Sequence, residues 1–215
     1  MSIEAVGVNP KTAEVREVFD IGRQIVNFIG PEGSGKSTIA KRLALESGKP
    51  YLAVGDILRE LAANDPGPLG DECREMFAQH RYFKDREMLL DIYAERFKRN
   101  DLEQGFILDG SLRGVIEVAG FQLALDRADR TMPVVVVRLR IPGWMGIQRL
   151  SIDPKARSRE DDDADAVLSR LSKFYNRLGE RVSLIQKQPN WKFIPIDATG
   201  TAETTFGKVR SALSR

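Results

Sequence analysis

The sequence predicts an α/β fold, a five-stranded parallel sheet with helices on both faces. Three observations predict it. Short apolar runs alternate with segments of helical apolar period along the chain, the pattern of a sheet covered by helices. A glycine-rich loop joins the first apolar run directly to the first helical segment. The composition, 42% hydrophobic and 30% charged over 215 residues, is that of an ordinary water-soluble domain, and a chain of this length buries roughly 70% of the surface its unfolded form exposes.

The elements follow in order. Residues 1–24 carry Glu4, Glu14, Glu17 and Asp20 and lack a basic start with an apolar centre, so they read as an N-terminal extension, a mobile tail or short added helix, and not as a targeting segment. Residues 25–29 are an apolar run rich in β-branched and aromatic side chains and make the first strand. The helical period begins at Ser37 and runs to residue 46. A second strand is expected over 50–54 and a second helix over 56–63, followed by a loop at 64–70, where two Pro and two Gly fall together. Helix over 85–98, strand over 106–109, helix over 115–129 and strand over 134–139 come next. Pro154 and neighbouring charges mark a break at 151–158. One long helix is expected over 161–186, a last strand over 193–196 and a last helix over 202–213.

Composition also narrows function. The 33 Lys and Arg against 31 Asp and Glu leave a formal charge of +2, which gives no net basic field to attract nucleic acid. A single cysteine, Cys73, excludes an internal disulfide, and with His80 as the only histidine no Cys/His zinc site is expected. The longest aliphatic run, 134–137, is far short of the ~20 residues that cross a bilayer. A cytoplasmic, reducing setting without membrane contact is the expectation.

The strongest motif is Gly30-Pro31-Glu32-Gly33-Ser34-Gly35-Lys36-Ser37-Thr38. It fits G-x-x-x-x-G-K-[ST], with a strand before it and a helix after. The glycines let backbone N–H groups converge on phosphate oxygens, and the helix N-terminus adds partial positive charge. Lys36 would reach the β- and γ-phosphates of ATP, and the Ser37 hydroxyl would ligate Mg²⁺. Asp109 ends an apolar strand and so falls at the carboxyl edge of the sheet, where it either holds Mg²⁺ through water or starts the Asp-Gly turn.

Transfer of a phosphoryl group between two nucleotides brings several negative charges into line, so arginines should converge. Arg59 and Arg113 each follow a strand and loop, and Arg159 and Arg170 lie eleven residues apart, about three helical turns, so that both can point the same way. These residues resemble the adenylate kinase family of nucleoside monophosphate kinases over about residues 24–213. The phosphate loop matches Gly30 to Thr38. The family's Ser-Thr-Gly-Asp-x-Leu-Arg is similar to Ala53-Val54-Gly55-Asp56-Ile57-Leu58-Arg59. Its Asp-Gly-Phe-Pro-Arg resembles Asp109-Gly110-Ser111-Leu112-Arg113, and its Arg-x-Asp-Asp with a later arginine resembles Arg159-Glu160-Asp161-Asp162 and Arg170. The spacing from Arg149 to Arg159 is like that of the short-lid form, which carries no zinc.

The resemblance implies a P-loop nucleoside triphosphate hydrolase-type core with a helical monophosphate-binding part at about 53–84 and a short lid at about 149–162. It implies ATP bound by Gly30, Gly33, Ser34, Gly35, Lys36, Ser37, Thr38 and Arg149. The acceptor monophosphate would be bound by Val54, Gly55, Arg59, Arg113, Glu117, Arg159 and Arg170. Catalysis would fall to Lys36, Arg113, Arg149, Arg159 and Arg170, with Asp161 and Asp162 supporting the lid. Mg²⁺ at Ser37 and Asp109 is the implied cofactor, and a monomer acting on ATP and AMP is the implied state.

The chain departs from the family pattern at named positions. Asp153 stands where a lid arginine is usual, with Lys155 or Arg157 able to supply its charge. Ser111-Leu112 replaces Phe-Pro, His80 replaces a glycine, and Val54 replaces Thr. Glu117 stands where AMP-binding members have Gln; an ionised carboxylate only accepts hydrogen bonds, so Glu117 either reads a donor-rich base edge or faces solvent. Three functions follow from these residues: an adenylate kinase, a kinase for UMP, CMP, another monophosphate or a metabolite, or a nucleotide-binding protein with little activity.

Overall fold

The computed structural model describes residues 18–79, 81, 86–151 and 164–214. In them β1 (Gln24–Ile29), β2 (Tyr51–Ala53), β3 (Gly105–Asp109), β4 (Val134–Arg140) and β5 (Trp191–Asp197) form one parallel sheet of order β2-β3-β1-β4-β5. The helices are α1 (Lys36–Ser47), α2 (Val54–Asn64), α3 (Pro68–Ala78), α4 (Arg86–Phe97), α5 (Val115–Arg127), α6 (Gly143–Ser151), α7 (Ala164–Tyr175), α8 (Leu178–Gln186) and α9 (Ala202–Leu213). All five expected strands are present, each within two residues of its expected ends.

β1 is central, with β3 on one side and β4 on the other: Phe28 lies opposite both Asp109 and Val137. Strand order therefore reverses across β1, and the crevice at its carboxyl end is where an open α/β sheet binds ligands. The phosphate loop leaves the sheet at that point. Alternation along the strands separates two apolar layers. Ile25, Phe106, Leu108, Val134 and Val136 face one layer, packed with Tyr93, Phe97 and Phe121 of α4 and α5. Val26, Phe28, Ile107, Val135 and Val137 face the other, under α1 and α9. Phe19 and Ile21 pack into this second layer, and the Phe19 N–H donates to the Glu46 carbonyl at 2.8 Å.

Three expectations need correction. The helix expected over 161–186 is two helices, α7 and α8, broken where Arg177 takes a left-handed φ of 52°, a conformation no helix interior tolerates. The loop expected over 64–70 is shorter, because α3 starts at Pro68 with Gly67 before it; proline is well suited to a first helical turn, where its missing N–H costs nothing. Helix α6, like α3, was not expected: only nine residues, with Gly143 and Gly146 in it, it is too short for a clear apolar period. His80, Asp153, Lys155, Arg157, Arg159, Asp161 and Asp162 lie outside the described residues.

Candidate active site

The loop between β1 and α1 is built by local torsions. Gly33 and Gly35 have φ of 76° and 82°, open to glycine at little cost. Gly35 is the N-cap of α1 and no side chain caps that end, so the first helical N–H groups and the positive end of the dipole point out of the loop. They open on a cleft of about 500 Å³ walled by Glu32 to Ile39, Arg149, Leu150 and the stretch from Ala198 to Ala202. Lys36 folds back on the loop, its Nζ 3.5 Å from the Pro31 carbonyl and 4.0 Å from the Glu32 carboxylate.

Asp109 sits beside the loop because β3 and β1 are neighbours in register. Its Oδ2 accepts from the Tyr51 hydroxyl at 2.9 Å, while its Oδ1 is buried with no hydrogen-bond partner. Burial, and then the Asp109 charge, raise the Tyr51 pKa, so the phenol stays protonated and keeps donating. Ser37 lies near the same Tyr51 hydroxyl and lowers its pKa, against the larger raising effects. A buried carboxylate oxygen without a partner is costly unless something fills it. A hard oxygen-ligated cation such as Mg²⁺, with its own waters, fits that donor set.

A second crevice opens on the other side of the loop, lined by Glu32, Lys36, Arg113, Arg170, Phe174 and Arg181 among others. Arg170 comes from α7, its Nε 3.8 Å from the Glu32 carboxylate. Arg113 comes from the turn after β3. That turn lacks Phe-Pro, and polar anchors hold it instead. Ser111 and Asn27 of β1 share a fully buried hydrogen-bonded pair at 2.6 and 2.9 Å. Leu112 is buried with φ 55°. The Arg113 Nε donates to the Gly110 carbonyl and its backbone N–H to Glu117 Oε2, both at 2.7 Å.

Glu117 does not face solvent: it is 8% exposed, at the third position of α5. Its other oxygen accepts from the Tyr93 hydroxyl, and burial first, then the Glu117 charge, push the Tyr93 pKa well up. The carboxylate thus reaches back to the turn before its own helix, as an N3 glutamate does.

The remaining residues lie apart from this crevice. Arg149 spans the first cleft, donating to the carbonyls of Gly33, Ala198, Thr199 and Gly200 at 3.1 to 3.3 Å. Val54 is buried at the start of α2, and Gly55 lies next to the Arg59 guanidinium. Arg59 pairs with Asp56 at 2.7 Å and lies 5.6 Å from the Phe77 ring, and it is not in the wall of the crevice that Arg113 lines. Sequence reasoning missed Tyr51, Glu32, Asn27 and Arg181. Arg181 had a signal: it falls on the apolar stripe of Phe174, Leu178 and Ile185, where a charge needs a reason.

With this geometry in place, comparison with known proteins gives consistent results. A family model described as adenylate kinase matches residues 28–188. The adenylate kinase of Xanthomonas oryzae pv. oryzae (strain MAFF 311018) is 30% identical over 189 residues, 87% of this chain and 98% of that protein. Adenylate kinase of Xanthomonas campestris pv. campestris (strain B100) matches to the same extent. That of Xylella fastidiosa (strain M23) is 29% identical over 187 residues, 86% of this chain and 97% of that one.

Proposed function

The chain belongs to the adenylate kinase family and is a nucleoside monophosphate kinase, and from that premise we propose that it transfers the γ-phosphoryl group of Mg-ATP reversibly to AMP. The observation that carries the reading is the placement of Lys36, Arg113 and Arg170, from α1, the turn after β3 and α7, around one crevice at the uncapped end of α1. Three cations there match an in-line transfer between two anionic substrates.

The roles follow from position. The loop amides and Lys36 bind the β- and γ-phosphates, and Arg149, spanning the first cleft, closes the ATP side. Arg113 grips the acceptor phosphate, with Arg59 swinging from Asp56 to join it. Arg170 stabilises the transferring group, together with Arg159. Val54 and Gly55 line the monophosphate part, about 53–84, and Asp161 and Asp162 support a short lid at about 149–162. Ser37 and Asp109 would hold Mg²⁺, directly and through water, where it neutralises charge on the phosphoryl oxygens. Residues 1–24 extend the kinase domain of 25–215 at its N-terminal end, with Phe19 and Ile21 packed on its second apolar layer, and the protein acts as a monomer. No general base is required, because the acceptor phosphate is already an anionic nucleophile, and catalysis is positioning plus charge stabilisation. The Glu32 carboxylate lies 4.0 Å from Lys36 and 3.8 Å from Arg170 and yields both to the phosphates.

A second acceptor class, UMP or CMP, is supported by two residues. Val54 offers no hydrogen bond to a base, and both Glu117 oxygens are engaged within the protein. A product assay separates the readings: Mg-ATP is supplied with AMP, UMP, CMP or GMP in turn and the diphosphates are resolved by chromatography. ADP formed from AMP at least tenfold faster than any other diphosphate supports the first reading. A faster pyrimidine or guanine product overturns AMP as the acceptor.

A further inference from the structure

We infer that Arg181 is the positioning residue for Arg113, resting on the reading that Arg113 grips the acceptor phosphate. Arg181 lies on α8, 2% exposed, in the wall of the crevice that Lys36, Arg113 and Arg170 share. Its guanidinium donates to the carbonyl of Leu112 at 3.1 Å and to that of Arg113 at 2.8 Å. It donates also to the carbonyl of Phe174 and lies 4.9 Å from the Phe174 ring.

These bonds act where the backbone needs them. Leu112 has φ 55°, a left-handed torsion that a branched side chain holds only when its surroundings enforce it. Glu117 takes the Arg113 N–H, Arg181 takes the Arg113 carbonyl, and Gly110 takes the Arg113 Nε hydrogen. Both backbone polar groups and the root of the guanidinium are then tied, so its terminal nitrogens are presented in one direction. Phe174 is one turn beyond Arg170 on α7, so the same cation joins the turn of Arg113 to the helix of Arg170. A buried charge is a costly filler for an apolar helix stripe; a planar fork that reaches three carbonyls from two separate segments is something no apolar side chain supplies.

The test compares full-length Arg181→Leu, Arg181→Lys, Arg113→Ala and Arg113→Ala/Arg181→Leu, with AMP and Mg-ATP as substrates. A non-hydrolysable ATP analogue is titrated by calorimetry. Arg181→Leu is expected to raise the AMP KM and lower kcat by about tenfold or more each, since small misplacements of a reacting geometry carry effects of that order. Affinity for the ATP analogue should stay within about twofold, because Arg181 is not part of the ATP cleft. Arg181→Lys keeps the cation without the fork and should recover only part of the loss; it carries the test, by the same acceptor-side readouts, if Arg181→Leu does not fold. The double variant should be no worse than Arg113→Ala within about threefold, the sign of two residues acting as one unit.

Acceptor KM and kcat within twofold of the parent in a folded Arg181 variant overturn the inference. So does a parallel fall in ATP affinity, or a double variant that multiplies the two losses. Unchanged AMP kinetics in Arg113→Ala overturn the underlying reading of Arg113; impairment in Arg113→Ala with none in the Arg181 variants overturns only the inference.

Discussion

At the scale of single residues, the site is a set of arginines divided between two tasks. Arg149 and Arg181 bind backbone carbonyls, while Arg113 and Arg170 line the crevice beside Lys36. Replacing Lys36 or Arg113 by Ala should lower kcat/KM about a thousandfold, the scale of a lost phosphoryl-clamping cation, with circular dichroism unchanged; turnover near that of the parent would remove the mechanism. Tyr51→Phe deletes the hydroxyl that donates to Asp109. The magnesium concentration giving half-maximal rate should rise about tenfold, as for lost support of a metal ligand, and Mn²⁺ binding followed by electron paramagnetic resonance should weaken in parallel. An unchanged metal requirement would leave Tyr51 a packing residue.

At the scale of elements, the phosphate loop is placed by backbone-to-backbone contact with α6. A Cβ on Gly33 would stand 2.6 Å from the Gly146 carbonyl oxygen, and a Cβ on Gly146 would stand 2.5 Å from that of Glu32. Neither backbone can give way without moving a whole element. Gly146→Ala should therefore destabilise by about 1–3 kcal/mol in urea unfolding, the usual cost of overpacking. It should also raise the KM for ATP more than that for AMP, since α6 carries Arg149. Equal effects on both would mean that α6 is placed independently of the loop. The Arg113 turn shows a different solution, polar anchoring by Asn27, Glu117 and Arg181 in place of a stiff Phe-Pro.

At the scale of the whole molecule, parallel strands covered on both faces leave several acids ionisable only with difficulty. Burial pushes the Cys73 thiol up to about 11 and raises the Tyr51 and Tyr93 hydroxyls. The fold holds these groups neutral while the unfolded chain ionises them at lower pH, so unfolding releases protons in alkali. The Cys73 contribution is intact below its unfolded value of 9.0 and is lost as pH rises towards the folded value of about 11. The urea midpoint should fall steadily over that interval, and Cys73→Ala should flatten part of the fall; an identical slope in the variant would assign the alkaline loss elsewhere. Among the described residues no helix is long and apolar enough to cross a membrane.

The strands and the phosphate loop were legible because their determinants are local. Period-two and helical patterning, and the glycines at positions 33 and 35 with positive φ, act over a few residues. Asp109 was legible for the same reason, being the last residue of an apolar run. The break at Arg177 and the start of α3 at Pro68 were not, since each depends on which of two permitted local conformations the packing selects. Side-chain partnerships were decided by tertiary structure alone. Tyr51 meets Asp109 58 residues away, Asn27 meets Ser111 84 residues away, and Arg181 meets Leu112 69 residues away. Residue type states what a side chain can donate or accept, whereas burial and the neighbouring element decide what it does: Glu117, legible as a reader of bases, is held by Tyr93 and the Arg113 N–H, because a buried carboxylate takes the nearest donors.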